Sequence, residues 1–489
     1  MIMGKSANEH QRGDSALAFK AGFWYVFGNF AGKAISFITM PIFARLMTAS
    51  DYGEFSNFAG WVLMLTIVAG AELYNTLSRA YYDFKENYDE YISTVTFLGC
   101  GLTAVIYLFF LCGHKFVLKI VTIPEQFINI LFVFLLFSFC RLIYYARERT
   151  LYRYKSVAAV TVLSLLIPTV VSIILVYNLP QSKHLFARIY GYYLTSSLIG
   201  VFCAYSLFKK GIAFKWQYCK YAMLLSLPLL IHYMTTYLLT STNVIITKNI
   251  SGAAVAAIVS IAHSSTHILT IFFQAISGAL TTWLMDNLEL GNNEKIRQGL
   301  LFYTVLLTLI VTVSILFAPE LIYVLGGEKY VAAISLLPGL IYATFIQSVT
   351  TIFTIILTYD KNVVKTAVIT GIFSLISIVL KIWLMPEYGL MVLVYVNIAV
   401  FGILFVLNFC LVKQAGYDGV VSISRITGVI IAIGILTFLS ARLYELQGLR
   451  YAIIGIFIIG STVLLILNKH RLSDLIQIFK KTKKKKNNG

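Results

Sequence analysis

Apolar runs of membrane-spanning length recur along this chain with only short polar segments between them, and this pattern limits the folds open to it. About fourteen runs approach or exceed the roughly 20 residues that a helix needs to cross ~30 Å of hydrocarbon. They lie near 18–43, 57–77, 91–113, 126–146, 157–178, 184–208, 220–244, 253–283, 297–318, 330–357, 364–385, 387–411, 423–442 and 450–468. Charged residues make up 12% of the 489 positions, about half the share of an average soluble protein. The sequence therefore predicts an all-α integral membrane protein with about 14 transmembrane helices.

The polar segments between these runs are too short to fold as soluble domains. Membrane-embedded glycosyltransferases and ligases generally need such a domain, so the sequence argues against an enzyme, and we expect no cofactor. The 6 cysteines have no CxxC spacing, and nearly all lie in apolar runs. We interpret them as buried apolar side chains rather than disulfides or metal ligands.

The distribution of positive charge predicts the orientation. If the N-terminus is placed inside, most of the 39 lysine and arginine residues fall in inward segments, so both termini are predicted to be cytoplasmic. The basic tail from Lys480 to Lys486 either contacts the anionic inner leaflet or only fixes this topology. The net charge of +18 therefore indicates a membrane topology and not nucleic-acid binding.

Four predicted helices carry polar residues at helical spacing, and such groups are costly in hydrocarbon unless they face water or one another. They hydrogen-bond between packed helices or they line a shared hydrophilic cavity, and the histidines and a lysine favour the cavity. The candidate cavity residues are Asn29 and Lys33 in the first helix, His232 and Asn243 in the seventh, His263, His267 and Gln274 in the eighth, and Gln347 in the tenth.

Lys33 lies deep in the first predicted helix and needs a partner. Glu72, on the second helix, is predicted to lie much closer to the inner face, at the depth of Arg141. We therefore predict a structural ion pair between Glu72 and Arg141, which leaves Lys33 available for an anion. His263 and His267 have a spacing that can hold a metal, but no third ligand lies near in sequence, so we predict no metal site and interpret them as cavity-lining groups or proton carriers.

The junction of the first two predicted helices carries a recognisable motif. Residues 41–55 read P-I-F-A-R-L-M-T-A-S-D-Y-G-E-F. This resembles the "R-L-[LM]-T-x-x-[DE]-Y-G-x-[FY]" segment of bacterial polysaccharide flippases, the O-antigen and capsule exporter branch of the multidrug/oligosaccharidyl-lipid/polysaccharide superfamily. Physically, Thr48 and Asp51 can cap the second helix, and Gly53 allows close helix packing.

A second segment, from Asn243 to Gly252, resembles the family's "D-x-x-[IL]-[IL]-x-x-x-x-[GS]" pattern, with Asn243 in place of the usual Asp. It also echoes the first junction, six predicted helices later. The resemblance thus implies two parallel six-helix lobes around a central cavity, residues 1–215 and 216–415. Residues 416–489 would form two extra helices and the polybasic cytoplasmic tail.

The resemblance implies a transporter of the bacterial cell membrane that flips undecaprenyl-diphosphate-linked oligosaccharide repeat units from the inner to the outer leaflet. This would serve O-antigen or capsule assembly, alongside a polysaccharide polymerase and chain-length machinery. Lys33 would contact the phosphate, and Arg45, Arg79 and Lys248 would attract the head group at the mouths; Arg45 and Lys248 could equally be interfacial anchors. The alternatives are a multidrug or cation antiporter of the same superfamily, or a peptidoglycan lipid-precursor flippase.

Overall fold

The computed structural model describes residues 28, 31–32, 34–113, 117, 121–209 and 211–467. Within them the chain forms α-helices joined by short turns and 3-10 segments. The helices are α1 (Ala34–Leu46), α2 (Ala49–Gly70), α3 (Leu77–Asp83), α4 (Tyr88–Cys112), α5 (Ile128–Thr150), α6 (Tyr154–Asn178), α7 (His184–Phe208), α8 (Trp216–Thr240), α9 (Asn243–Ser251), α10 (Ala253–Glu289), α11 (Asn293–Leu316), α12 (Ala318–Leu325), α13 (Ala333–Tyr359), α14 (Val363–Tyr388), α15 (Met391–Gln414), α16 (Ile423–Glu445) and α17 (Gln447–Leu467).

The helices confirm a multi-pass, all-α membrane protein. In the described part of the chain, 11 helices are long and apolar enough to span a membrane, and the count rises to 12 if the bent pair α2–α3 is one span. Each predicted apolar run from 57–77 onwards overlaps one of these helices or this pair, whereas residues 18–27 of the first run lie outside the described part of the chain. Large apolar side chains point away from the protein, such as Phe438, which is 85% exposed. Such side chains suit a lipid surface.

The bend between α2 and α3 is 48°. It follows from two residues in the left-handed region, Ala71 (φ 45°) and Glu72 (φ 53°), which interrupt the helical hydrogen-bond pattern. After the break, Leu73 and Leu77 are fully buried, and Thr76 shares a hydrogen bond of 2.7 Å with the Tyr91 hydroxyl. The second half of this span is therefore held by α4.

The chain packs into two compact units, residues 1–260 and 261–489. The division at residues 215 and 415 rests on the internal repeat and stays a prediction. One packing arrangement does recur in both units. In the first unit α7 packs against α5 and α6, and in the second α15 packs against α13 and α14. This recurrence agrees with two copies of one helical arrangement.

Candidate anion-binding site

The motif at the start of α2 is built as its sequence suggests. The Thr48 hydroxyl accepts a hydrogen bond from the Asp51 amide at 3.0 Å and donates to the Asp51 carboxylate at 2.8 Å. Thr48 is thus the N-cap of α2, and the acidic side chain lies in the first turn, where the helix dipole favours it. The predicted cap is confirmed.

Gly53 allows the two echoing junctions to contact each other inside the first unit. A Cβ atom at this position would overlap the carbonyl of Ala253, the first residue of α10. One turn further on, the Ser260 hydroxyl donates to the Ser56 hydroxyl at 2.9 Å. The predicted close helix packing is therefore confirmed, and it joins the start of α2 to the start of α10.

Lys248, a predicted mouth charge, has two protein partners in this region. Its ammonium lies 3.3 Å from the Glu54 carboxylate and donates to the Thr122 carbonyl at 2.7 Å. The Asn57 amide donates to the same carbonyl at 2.9 Å. These bonds fasten the segment before α5 to α2 and α9, which favours a structural role for Lys248 over attraction of a head group.

Arg45 and Arg79 remain on the surface. Arg45 is exposed and donates to the Pro41 carbonyl at 3.0 Å. The Arg79 side chain is 72% exposed and lies 3.0 Å from the Asp83 carboxylate. Their role as mouth charges stays a prediction.

The first unit also buries an arginine that was not among the predicted site residues. Arg188, on α7, is 9% exposed and donates to the Ser172 hydroxyl of α6 at 3.0 Å. Its guanidinium carbon lies 3.4 Å from the ring centre of Phe43, 4.3 Å from that of Phe55 and 5.4 Å from that of Tyr192. Aromatic faces can stabilise a desolvated cation by about 2 kcal/mol, so this group is kept charged without a carboxylate.

Arg141 is a second cation inside the same unit. It lies in the middle of α5, half-buried, and donates to the Ser196 hydroxyl of α7 at 2.5 Å and to the Ser138 hydroxyl at 3.2 Å. The Phe134 ring centre is 5.7 Å from the guanidinium carbon. Two neutral hydroxyls leave the positive charge of this guanidinium uncompensated.

The two arginines are connected through one face of α7. Arg188, Tyr192 and Ser196 follow at intervals of one helical turn, so Arg188 and the serine that binds Arg141 are about 12 Å apart along the axis. Among the ion pairs of the described residues, none involves either arginine. We call Arg141, Ser196, Tyr192 and Arg188 the arginine column. A guanidinium presents a fork of N–H donors that matches phosphate, so the column suits an anion.

The predicted ion pair between Glu72 and Arg141 is not present among the described contacts. The left-handed backbone at Ala71 and Glu72 ends α2, and the Glu72 carboxylate accepts a hydrogen bond from Asn75 at 2.7 Å. Arg141 is bound by serines instead. Depth along two straight helices was the basis of the prediction, and the break in the second helix removes that basis.

The comparisons with known proteins agree with this architecture. The family model described as "Polysaccharide biosynthesis protein" matches residues 18–284, more than half of the 489 residues. The chain belongs to this family. No curated protein sequence matches it.

Solved structures of two membrane transporters share the fold of this member of the polysaccharide biosynthesis family. "Lipid II flippase MurJ, inward closed conformation" is 14% identical with a TM-score of 0.68, over 94% of this chain and 100% of that one. An inward-facing multidrug resistance MATE family transporter of the MOP superfamily is 16% identical with a TM-score of 0.57, over 77% and 95% of the two chains. The fold that the resemblance predicts is confirmed.

The other predicted cavity residues of this family member are spread along the chain. Asn29 and Lys33 lie outside the described residues. In the first unit, His232 is exposed on α8, whereas Asn243 is 1% exposed and both polar atoms of its amide lack a hydrogen-bond partner among the described residues. The structure therefore does not bring His232 and Asn243, the two candidates of the seventh predicted helix, to one surface.

The remaining four predicted cavity residues lie in the second unit. The rings of His263 and His267 lie 5.2 Å apart and are tilted by 30°, as expected one turn apart on α10. Gln274 is exposed and Gln347 is half-buried. Their roles as cavity residues stay predictions.

One sequence signal for the arginine column was available. Arg188, Tyr192 and Ser196 repeat every four residues, the same spacing that singled out the other polar faces. The aromatic partners could not be inferred from it, because Phe43 and Phe55 come from α1 and α2.

Proposed function

We propose that this member of the polysaccharide biosynthesis family is a flippase for undecaprenyl-diphosphate-linked oligosaccharide repeat units. It would carry them from the inner to the outer leaflet of the bacterial cell membrane, for surface polysaccharide such as O-antigen or capsule, by alternating access. The family match and the transporter fold support a lipid-linked saccharide as the substrate class. The excess of basic residues in inward segments supports cytoplasmic termini.

The observation that carries the proposal is the placement of Arg141. A guanidinium in the middle of a membrane-spanning helix is costly, and such residues mark substrate pathways. Two serine hydroxyls satisfy some of its N–H groups but none of its charge. A diphosphate would supply that missing charge and could be bound by two parallel N–H···O bonds. In this proposal Arg141 contacts the diphosphate, and Lys33 stays a second predicted contact.

The column also contains groups suited to the saccharide. Tyr192 is half-buried beside Arg188, and an aromatic ring with a hydroxyl can both stack on a sugar and hydrogen-bond to it. Arg188 is already covered by three rings, so we assign it to positioning Tyr192 rather than to direct contact. The polyprenyl chain would remain in the lipid.

Deletion of the gene in its host tests the proposal. We expect the repeat units to accumulate on the cytoplasmic leaflet and surface polysaccharide to be lost, with both restored by the wild-type gene. Unchanged polysaccharide together with increased drug sensitivity would instead support the multidrug antiporter. Accumulation of the peptidoglycan lipid precursor would support the third candidate, the peptidoglycan lipid-precursor flippase.

A further inference from the structure

The second unit contains a lysine that is completely removed from solvent. Lys381, on α14, is 0% exposed, and its ammonium nitrogen has no hydrogen-bond partner among the described residues. It takes part in none of the ion pairs found there. A lysine in this situation differs from the surface lysines of the chain, because water cannot solvate its charge.

The polar groups at the level of this lysine are neutral and also lack partners. Ser377, one turn earlier on α14, is fully buried and its hydroxyl makes no hydrogen bond in the described structure. On α15, Asn397 lies as far after the turn residue Gly389 as Lys381 lies before it, and the two helices pack against each other. The Asn397 carbonyl oxygen is likewise buried without a partner. Three buried polar groups without partners among the described residues thus lie within about one helical turn of each other along this helix pair.

No carboxylate on the packed helices faces the lysine. Glu387 is the sole acidic residue in the sequences of α13, α14 and α15, and it is exposed near the end of α14. Tyr342 of α13 is bound elsewhere, to the Ile430 carbonyl at 3.1 Å. The other ionisable residues of these helices are Tyr359, Lys365, Tyr388, Tyr395, Cys410 and Lys413, each of which is exposed.

An ammonium ion needs water or a counter-ion, and this environment supplies neither from the described residues. A neutral amine needs only its lone pair satisfied, which the Ser377 hydroxyl could do by donation. The described arrangement therefore favours the unprotonated form. When the α14–α15 pair opens to water, the amine would take up a proton.

We propose that Lys381, with Ser377 and Asn397, is a proton-binding site that couples proton movement to transport. The amine accepts one proton from the aqueous phase on one side of the membrane and returns it to water on the other. The inference rests on the proposed function, since it names the ion that would drive the flippase.

The first test does not depend on the substrate. The purified full-length protein in detergent is unfolded thermally between pH 6 and pH 9, as wild type, Lys381→Met and Lys365→Met; the control changes an exposed lysine of the same helix. In the unfolded chain a lysine stays protonated up to about pH 10, so folding would release a proton and wild-type stability would rise with pH. We expect the midpoint of wild type to rise by at least about 3 °C relative to Lys381→Met, and Lys365→Met to follow wild type. Parallel curves for wild type and Lys381→Met would overturn the inference.

The second test measures coupling, and it also decides the matter if Lys381→Met does not fold. Proteoliposomes are loaded with repeat units isolated from the deletion strain, and flipping is compared with and without a pH gradient. We expect the gradient to change the wild-type rate by at least about fivefold. Lys381→Arg, which holds its charge, and Lys381→Met should lose this response, whereas Lys365→Met should retain it.

The outcomes separate the two proposals. Flipping by wild type without any response to the gradient rejects the proton site and leaves the flippase standing. A wild-type response that Lys381→Arg retains in full also rejects the proton site. If wild type does not flip the repeat unit at all, the proposed function fails, and the stability comparison alone judges the lysine.

Discussion

Two helix pairs, α6–α7 in the first unit and α14–α15 in the second, occupy the corresponding place in each unit and treat a buried cation differently. In the first pair Ser172 and Arg188 are equidistant in sequence from Pro180 and hydrogen-bond to each other. In the second pair Lys381 and Asn397 are equidistant from Gly389. Each pair thus places one cationic residue and one neutral polar residue at one level, but the cation has changed helices.

The residues around Arg188 and around Lys381 determine whether each group can lose its proton. Three aromatic rings and a serine cover Arg188, and a guanidinium stays protonated in proteins at all ordinary pH values. Among the described residues, no aromatic ring and no hydrogen-bond acceptor is paired with Lys381, and an amine can give up its proton. Both helix pairs thus hold a basic group eight residues from the turn residue, and in our proposal the packing around that group decides whether it is a fixed charge or a proton site.

We expect the largest effect at Arg141, because its fixed charge contributes to transport only if it binds the substrate. We expect Arg141→Ala to lower surface polysaccharide by about 10- to 100-fold, since a charged hydrogen bond contributes roughly 1.5–3 kcal/mol. Arg141→Lys should retain part of the export. The measurement is surface polysaccharide at matched protein level, with the exposed Arg425→Ala as control. Normal export by Arg141→Ala would remove the residue from the site.

Replacing the buried cation with methionine should have opposite effects on protein stability in the two helix pairs. Arg188→Met removes a cation from its rings and a hydrogen bond from Ser172, at a cost of about 2–3 kcal/mol in the free energy of unfolding. Lys381→Met replaces an unpaired buried amine with an apolar side chain and should raise stability at pH 6. Thermal unfolding of both variants checks this. Shifts of the same sign would show that the two environments are alike.

The contact between the junctions gives a smaller effect. Gly53→Ala places a methyl group against the Ala253 carbonyl, and overpacking of this kind costs about 1–3 kcal/mol. Gly402→Ala is the matched control, because no atom lies within 4 Å of its Cβ position and alanine is the better helix former. Thermal midpoints of the two variants should move in opposite directions. Equal midpoints would mean that the contact between the junctions accommodates the added methyl group without loss of stability.

The smallest effect is expected at the exposed pair of Arg79 and Asp83. Ion pairs between solvent-exposed side chains contribute little to stability, so Arg79→Gln should leave the thermal midpoint nearly unchanged. If Arg79 is a mouth charge, transport by this variant should fall at low ionic strength and equal that of wild type at high salt. A transport defect that salt does not change would contradict the mouth role.

The helices and the local motifs could be predicted from the sequence, because both depend on neighbours in the chain. Apolar periodicity located the spans, and Thr48 and Gly53 received the roles that their chemistry suggests. Lys381 lies within the predicted run 364–385, but its complete burial could not be predicted from that run, because it depends on packing against other helices.

Contacts between distant segments could not be predicted. The rings around Arg188 come from α1, α2 and its own helix, and no spacing in a single segment announces such a group. The expected partner of Arg141 was wrong for a related reason. Two residues with positive φ turned Glu72 toward Asn75, and left-handed backbone at non-glycine residues follows from tertiary packing rather than from local preference.

The broken span α2–α3 has a mechanical consequence. The part before the break carries the capped motif and contacts α9 and α10. The part after the break contacts α4 through the hydrogen bond between Thr76 and Tyr91. A continuous helix would transmit any tilt of one part to the other part. Because the helical hydrogen bonds are interrupted at Ala71 and Glu72, we expect the angle between α2 and α3 to change at a smaller cost than bending a continuous helix would require.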